Sequence, residues 1–287
     1  MKELAPNVFI ETGFPGVTLG ILAYKHGLVL IDAPFRLDDV RLWKAGMLGL
    51  TRGNERLLIN LDEHFDRTLG SRQIECLVAG QDKMVQLFKD RPVTFKPQVI
   101  ETGAEWEMHN SLVSTRWATP EITFSDRLEL HWGGNPLLLE SRPGPSSCAI
   151  WATLPVEKIV FVGDAVISDA PPFLANASLP AWEESLRVLL TPAYKNYTLV
   201  SGRNGVVGVP EVKAQLKTLE RLGKVVEKLS EKPVHAEDIQ KAAHSFLKHY
   251  EVPQGRETQY LMRLQWGLTK FMRKQPSVPL DQPELPI

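Results

Sequence analysis

Asp62, His64 and Asp66 stand two residues apart directly after the apolar run Leu57-Leu58-Ile59-Asn60, which reads as a buried strand. If the chain leaves that strand still extended, a side-chain period of two points all three to one side. Carboxylates and an imidazole converging on one point are the donors of a divalent metal, which in turn can acidify a bound water for hydrolysis. Arg67 follows immediately and has the opposite chemistry, because a guanidinium remains protonated and offers donors only. Two other apolar runs end in acids: Leu28-Val29-Leu30-Ile31 in Asp32, and Ile159-Val160-Phe161-Val162-Gly163 in Asp164. A second arginine, Arg203, sits in the turn-like stretch Ser201-Gly202-Arg203-Asn204-Gly205.

Taken in order, these stretches resemble the metallo-β-lactamase superfamily over the first three-quarters of the chain. There a strand ends in His-x-His-x-Asp-His, with a glycine three residues later, where Gly70 stands here. The resemblance places Asp62 at the first histidine, His64 at the second, Asp66 at the aspartate and Arg67 at the last histidine. Pro145, in Pro143-Gly144-Pro145-Ser146, falls where a further ligand histidine belongs, Asp164 matches the metal-bridging aspartate, and Arg203 replaces the final histidine. Asp32 corresponds to the aspartate that supports the site from behind. Five landmarks in the right order are far more specific than any one of them.

What the resemblance implies is a hydrolase of esters, thioesters, lactams or phosphodiesters, with two metal ions, usually zinc. The substitutions argue against two metals, since Arg67 and Arg203 fall on the half that would hold the second one. Guanidinium groups there would form salt bridges with Asp66 and Asp164 in place of the ion. Two readings stay open for the other half. In one, Asp62, His64 and Asp164 hold at most one divalent metal, whether zinc, iron, manganese or magnesium, with Asp66, Arg67 and Arg203 as catalytic groups. In the other, the arginines neutralise the acids, and a metal-free pseudoenzyme binds an anionic small molecule or acts as a regulatory or scaffold protein.

The elements around these residues imply an α/β (α+β) chain folded as a four-layer αββα sandwich of two mixed β-sheets, with a C-terminal helical appendage. Strand-like runs at 8–10, 18–24 and 28–31, a helix from about 37 to 50, the strand at 57–60, a strand at 74–79 and a helix near 84–88 make the first half. The second half repeats the pattern with strands at 122–124, 128–130, 137–139, 149–151 and 159–162. This assigns residues 1–209 to the sandwich. In 210–275, Val212, Leu216, Leu219, Leu222, Val226 and Leu229 give one apolar helical face. Two more helices follow, packed on the sandwich, walling the cleft or forming a homodimer surface. Residues 276–287, with Pro276, Pro279, Pro283 and Pro286, read as an extended tail.

Composition narrows the partners. With 33 Lys and Arg against 34 Asp and Glu the formal net charge is −1, which gives no electrostatic case for nucleic acid or an anionic membrane. The apolar runs are strand-sized, and no signal peptide or spanning helix is read, so a cytoplasmic protein with a small-molecule, anionic ligand is the expectation. Cys76 and Cys148 are read as reduced, buried small residues. Phe173, in the proline-rich loop after Asp164, is a candidate pocket wall, and the stretch 104–117 reads as an insertion overhanging the cleft. Ser146, Ser147 and Cys148 lack a sequence-adjacent histidine, and with no base or orienter apparent they read as turn and strand packing. His109, His131, His235, His244 and His249 are isolated and read as ordinary surface or packing residues.

Overall fold

The computed structural model describes residues 1–51, 53–91, 101–109, 116–231 and 233–274. One sheet contains seven strands in sequence order: β1 (Lys2–Ala5), β2 (Val8–Glu11), β3 (Leu19–Ala23), β4 (Gly27–Ile31), β5 (Glu55–Ile59), β6 (Leu77–Gln81) and β7 (Ile122–Phe124). The other has six, in the order β13 (Gly205–Val207), β12 (Thr198–Ser201), β11 (Ile159–Gly163), β10 (Ile150–Leu154), β9 (Leu137–Ser141) and β8 (Arg127–Leu130). Both sheets are mixed. β4, β5, β6 and β7 run parallel in the first, and β11 and β12 run parallel in the second.

Alternation along the buried strands divides the core into layers. Val29 and Ile31 of β4 join Ile159 and Phe161 of β11 in the core between the sheets, whereas Leu28 and Leu30 face outward onto Val40, Trp43 and Met47 at helix α1 (Leu37–Gly46). Val160 and Val162 face the opposite way, onto α5 (Leu179–Leu189) and the long α6 (Val209–Ser230). Strands covered on both faces are apolar at nearly every position, which makes them conspicuous in the sequence. The result is the four-layer αββα sandwich.

Helices α6, α7 (Ala236–Leu247) and α8 (Glu257–Arg273) share one apolar core with the second sheet, through Val212, Leu219, Leu222, Ile239, Phe246, Leu264 and Leu268. α8 also clamps the loop at 101–105. Arg263 donates from Nε and Nη2 to the Gly103 carbonyl at 3.0 and 2.8 Å, and from Nη1 to the Pro171 carbonyl at 3.0 Å. The extension therefore helps to build the site as well as cover a sheet.

Several boundaries depart from the sequence reading. α1 stops at Gly46, short of 50, where the chain turns through Gly49 at φ 86°. The predicted strand at 74–79 begins only at Leu77, because Ser71–Ile74 forms a helical turn, α3, closed by Glu75 in the left-handed region. α4 (Lys83–Lys89) follows β6 as read, and α5 is an element that the sequence reading leaves out. The expected tail at 276–287 lies outside the described residues, as does most of the stretch between Met108 and Arg116.

Candidate active site

The site lies beyond the C-terminal ends of the parallel strands, which is where open α/β sheets gather their ligands. β4 delivers Asp32, β5 delivers Asp62, β11 delivers Asp164 and β12 delivers Arg203. Asp32 turns sharply at φ 59°, and its Oδ1 accepts the Leu61 N–H at 3.0 Å, tying the end of β4 to the loop after β5. That loop does not stay extended. It bends at 61–63 and enters a single helical turn, α2 (Phe65–Thr68), so the period of two is lost after Asp62. The consequence is a correction to the sequence reading. Asp62, Glu63, His64 and Phe65 all line one cavity, whereas alternation would have turned Glu63 away.

Arg67 is completely buried and spans three acids. Its Nη1 donates to Asp32 at 3.1 Å, its Nη2 donates to Asp164, and its Nε lies 3.0 Å from an oxygen of Asp62 at an angle that is not that of a hydrogen bond. It does not pair with Asp66, and it crosses both halves of the expected metal site. Gly202 makes this possible, because a Cβ there would lie 2.8 Å from both Nη atoms.

Arg203 completes the network. Nε donates to the two Asp164 oxygens at 3.0 and 3.1 Å, and Nη1 to Asp66 at 2.6 Å and to the Gly16 carbonyl at 3.0 Å. Nη2 donates to Asp164 at 2.9 Å and faces Nδ1 of His64 at 3.0 Å. All five guanidinium N–H groups thus have acceptors. Asp66 additionally accepts the backbone N–H groups of Glu105 and Trp106 at 3.2 and 2.9 Å.

Electrostatics follow from four acids around two cations. Burial works against ionisation at Asp66 and Asp164, but Arg203, joined by Arg67 at Asp164, holds both below the usual carboxylate range. Asp62 loses the competition for Arg67. Burial, reinforced by the charges of Asp164 and Glu63, pushes it up to about 8, so it is protonated at neutral pH. Asp32 rises to about 6 by burial, partly offset by Arg67. Burial and then Arg203 push His64 down to about 3, so its ring is neutral.

The tautomer of that ring can be assigned. Nδ1 faces two donors, the Asp66 backbone N–H at 3.2 Å and Nη2 of Arg203, and arginine cannot accept. Nδ1 is therefore the acceptor and Nε2 carries the proton. A metal ion fits neither nitrogen. Nδ1 is covered by two N–H groups, and a metal on Nε2 would force the remaining proton onto Nδ1, against the same donors. Both oxygens of Asp164 already accept guanidinium bonds. Among the described residues no group of three or more His, Cys, Asp or Glu side chains is placed to hold a metal. The structure thus brings Asp62, His64 and Asp164 together, but as acceptors of arginine and backbone donors.

A cavity of about 110 Å³ opens beside this network. Phe173 lines it, its ring 4.2 Å from that of His64 and tilted to it by 56°, with the guanidiniums of Arg203 and Arg263 at 4.5 and 4.1 Å from the ring centre. Phe65, Trp106, Ala104, Pro145 and, from α8, Trp266 complete the apolar walls. Arg67 and Arg203 do not line it. Among the described residues the arginine that does is Arg91, whose guanidinium sits 4.3 Å from the Phe65 ring and donates to the Glu63 backbone carbonyl at 2.8 Å. Sequence reasoning missed Glu63, Arg91, Asn176 and Trp266. For Glu63 the available signal was its place inside the Asp62–Asp66 run.

Neither a protein-family model nor a curated protein matches the sequence. Solved structures do match. A metallo-β-lactamase from Pontibacter korlensis aligns over 76% of this chain and 97% of its own, with a TM-score of 0.57 and 18% identity. The chain has the metallo-β-lactamase fold. A metallo-β-lactamase family protein from Thermus thermophilus covers 94% of both chains at a TM-score of 0.63 and 16% identity, and so includes part of the chain that the lactamase leaves unmatched. The stereoselective inverting sec-alkylsulfatase Pisa1 from Pseudomonas sp. matches 96% of this chain with half of its own, at a TM-score of 0.64 and 13% identity. The metallo-β-lactamase fold is therefore one that carries hydrolases, and no helix among the described residues is long and apolar enough to cross a membrane.

Proposed function

We propose that this protein uses the metallo-β-lactamase fold without a metal, as a site for a small, uncharged and largely apolar carbonyl compound. The observation that carries the reading is the fixed ring of His64. Arg203 and the Asp66 backbone hold Nδ1 as an acceptor, which leaves the Nε2 proton, without a partner among the described residues, as a donor for the cavity. A carbonyl oxygen is the natural acceptor, while aromatic walls at Phe65, Trp106, Phe173 and Trp266 suit an apolar body. An anion held between Arg67 and Arg203 is the weaker reading, because their donors face carboxylates, neither arginine lines the cavity, and its wall carries the carboxylates of Glu63 and Asp164. Catalysis by a single metal has the same obstacle at His64.

The test is a thermal-shift series with matched neutral and anionic ligands, benzyl acetate against benzoate, in the presence and absence of EDTA. The neutral ester should raise the melting temperature, and EDTA should leave it unchanged. Stabilisation by benzoate alone, abolished in Arg67→Ala, would favour the anion site instead.

A further inference from the structure

The cavity holds a second set of groups that the arginine network does not use. The Ser146 hydroxyl donates to Oε2 of Glu63 at 2.5 Å, and Asn176 Nδ2 donates to Oε1 at 2.9 Å. Cys148 supports both partners, its thiol donating to the same Glu63 oxygen at 2.8 Å and its backbone N–H to Ser146 Oγ at 3.2 Å. Glu63 and Ser146 are each 5% exposed, and Glu63, Ser146 and Asn176 line the cavity together with His64. Among the described residues no cation bonds the Glu63 carboxylate, since Arg91 reaches only its backbone carbonyl. A buried carboxylate held by neutral donors, one of them a hydroxyl facing a cavity, is the arrangement of a general base and its nucleophile. Cys148 is fully buried, and its thiol acts as the donor, so it positions the pair and does not react.

We propose that Ser146 is a nucleophile, with Glu63 as its base and the His64 Nε2–H as the oxyanion donor, acting on small uncharged esters. This rests on the reading of the cavity as a carbonyl-compound site. Ser146 Oγ would attack the ester carbonyl carbon as its proton passes to Glu63, and the carbonyl oxygen would take the negative charge facing His64. When the tetrahedral centre collapses, the C–O bond to the alcohol breaks, and the alcohol leaves with the proton from Glu63. Water then attacks the acyl-serine, giving one proton to Glu63, which returns it to Ser146 as the acid departs. Ester and water yield acid and alcohol. Pro145, at the place of a lost metal ligand, puts Ser146 beside the reacting centre.

The experiment is labelling of the full chain with phenylmethanesulfonyl fluoride, whose sulfonyl group bonds a nucleophilic serine as fluoride leaves. Intact mass and peptide mapping should show one adduct, on Ser146, absent in Ser146→Ala and formed at least tenfold more slowly in Glu63→Gln. Cys148→Ala should keep the adduct on Ser146 but form it more slowly, because Glu63 loses one of the donors that position it. An adduct on the exposed neighbour Ser147, or no adduct, would overturn the proposal, and so would a rate unchanged in a folded Glu63→Gln. Should Glu63→Gln fail to fold, the comparison of Ser146→Ala with Ser147→Ala decides. Stabilisation by benzyl acetate without labelling would refute the nucleophile alone, and absence of both would refute the cavity reading as well.

Discussion

Nη2 of Arg203 stands 3.0 Å from Nδ1 of His64, and this contact, with the Asp66 N–H on the same nitrogen, fixes the proton on Nε2. Because the imidazole is buried beside a guanidinium, its pKa is pushed down to about 3. His64 should therefore stay neutral from about pH 8 down to about 4. Nitrogen-detected NMR of the histidine rings is the check, and a His64 signal titrating near the ordinary imidazole value of about 6.5 would contradict the assignment.

Removing Arg203 should reopen the site to metal. In Arg203→Ala, Nδ1 of His64 and the oxygens of Asp66 lose their guanidinium partner and Asp164 keeps only Arg67, and breaking such a buried pair costs about 3–5 kcal/mol. Zinc should recover part of that loss in the variant by mass action, and should leave the wild-type melting temperature unchanged. Calorimetric melting with and without zinc measures both.

Asp62 should make the fold less stable as pH rises above neutrality. Its folded pKa, about 8, exceeds the unfolded value, so between these limits the folded state binds more protons and stability falls with pH. His64 works in the opposite direction, gaining stability with pH up to its unfolded value of about 6.5. Between about pH 6.5 and 8 only the Asp62 effect remains of the two. A loss of about 1–2 kcal/mol is expected there, at roughly 1.4 kcal/mol per pH unit for one proton. Asp62→Asn should flatten the profile, as urea denaturation at several pH values would show.

Gly202→Ala tests how tightly Arg67 is confined. The new methyl would meet both Nη atoms at 2.8 Å and the Gly163 carbonyl carbon at 2.9 Å. With Arg67 fixed by three acids, neither side can yield freely, and a destabilisation of about 1–3 kcal/mol is expected. Urea denaturation would show it, and a neutral result would mean the guanidinium is mobile.

The sandwich was legible because strands buried on both faces, such as Leu28–Ile31 and Ile159–Val162, are continuous apolar runs ending in acids. The Asp62–Asp66 run, Asp164 and Arg203 stood out for the same reason, at strand ends. Two kinds of information were not local. The bend at 61–63 that brings Glu63 into the cavity depends on the Asp32 carboxylate bonding the Leu61 N–H from the neighbouring strand. The pairing of Glu63 with Ser146 joins residues 83 positions apart, and Trp266 arrives on α8 from the far end of the chain. Pairings of this kind are set by tertiary packing, which residue spacing does not encode.

Whether two guanidiniums occupy the place of the metal is decided by elemental analysis of protein purified without chelator or metal resin, then dialysed against zinc and passed through a desalting column. Far less than one equivalent of zinc, iron or manganese per chain is expected, with a melting temperature indifferent to EDTA. One equivalent retained, and removed by EDTA with loss of stability, would contradict it.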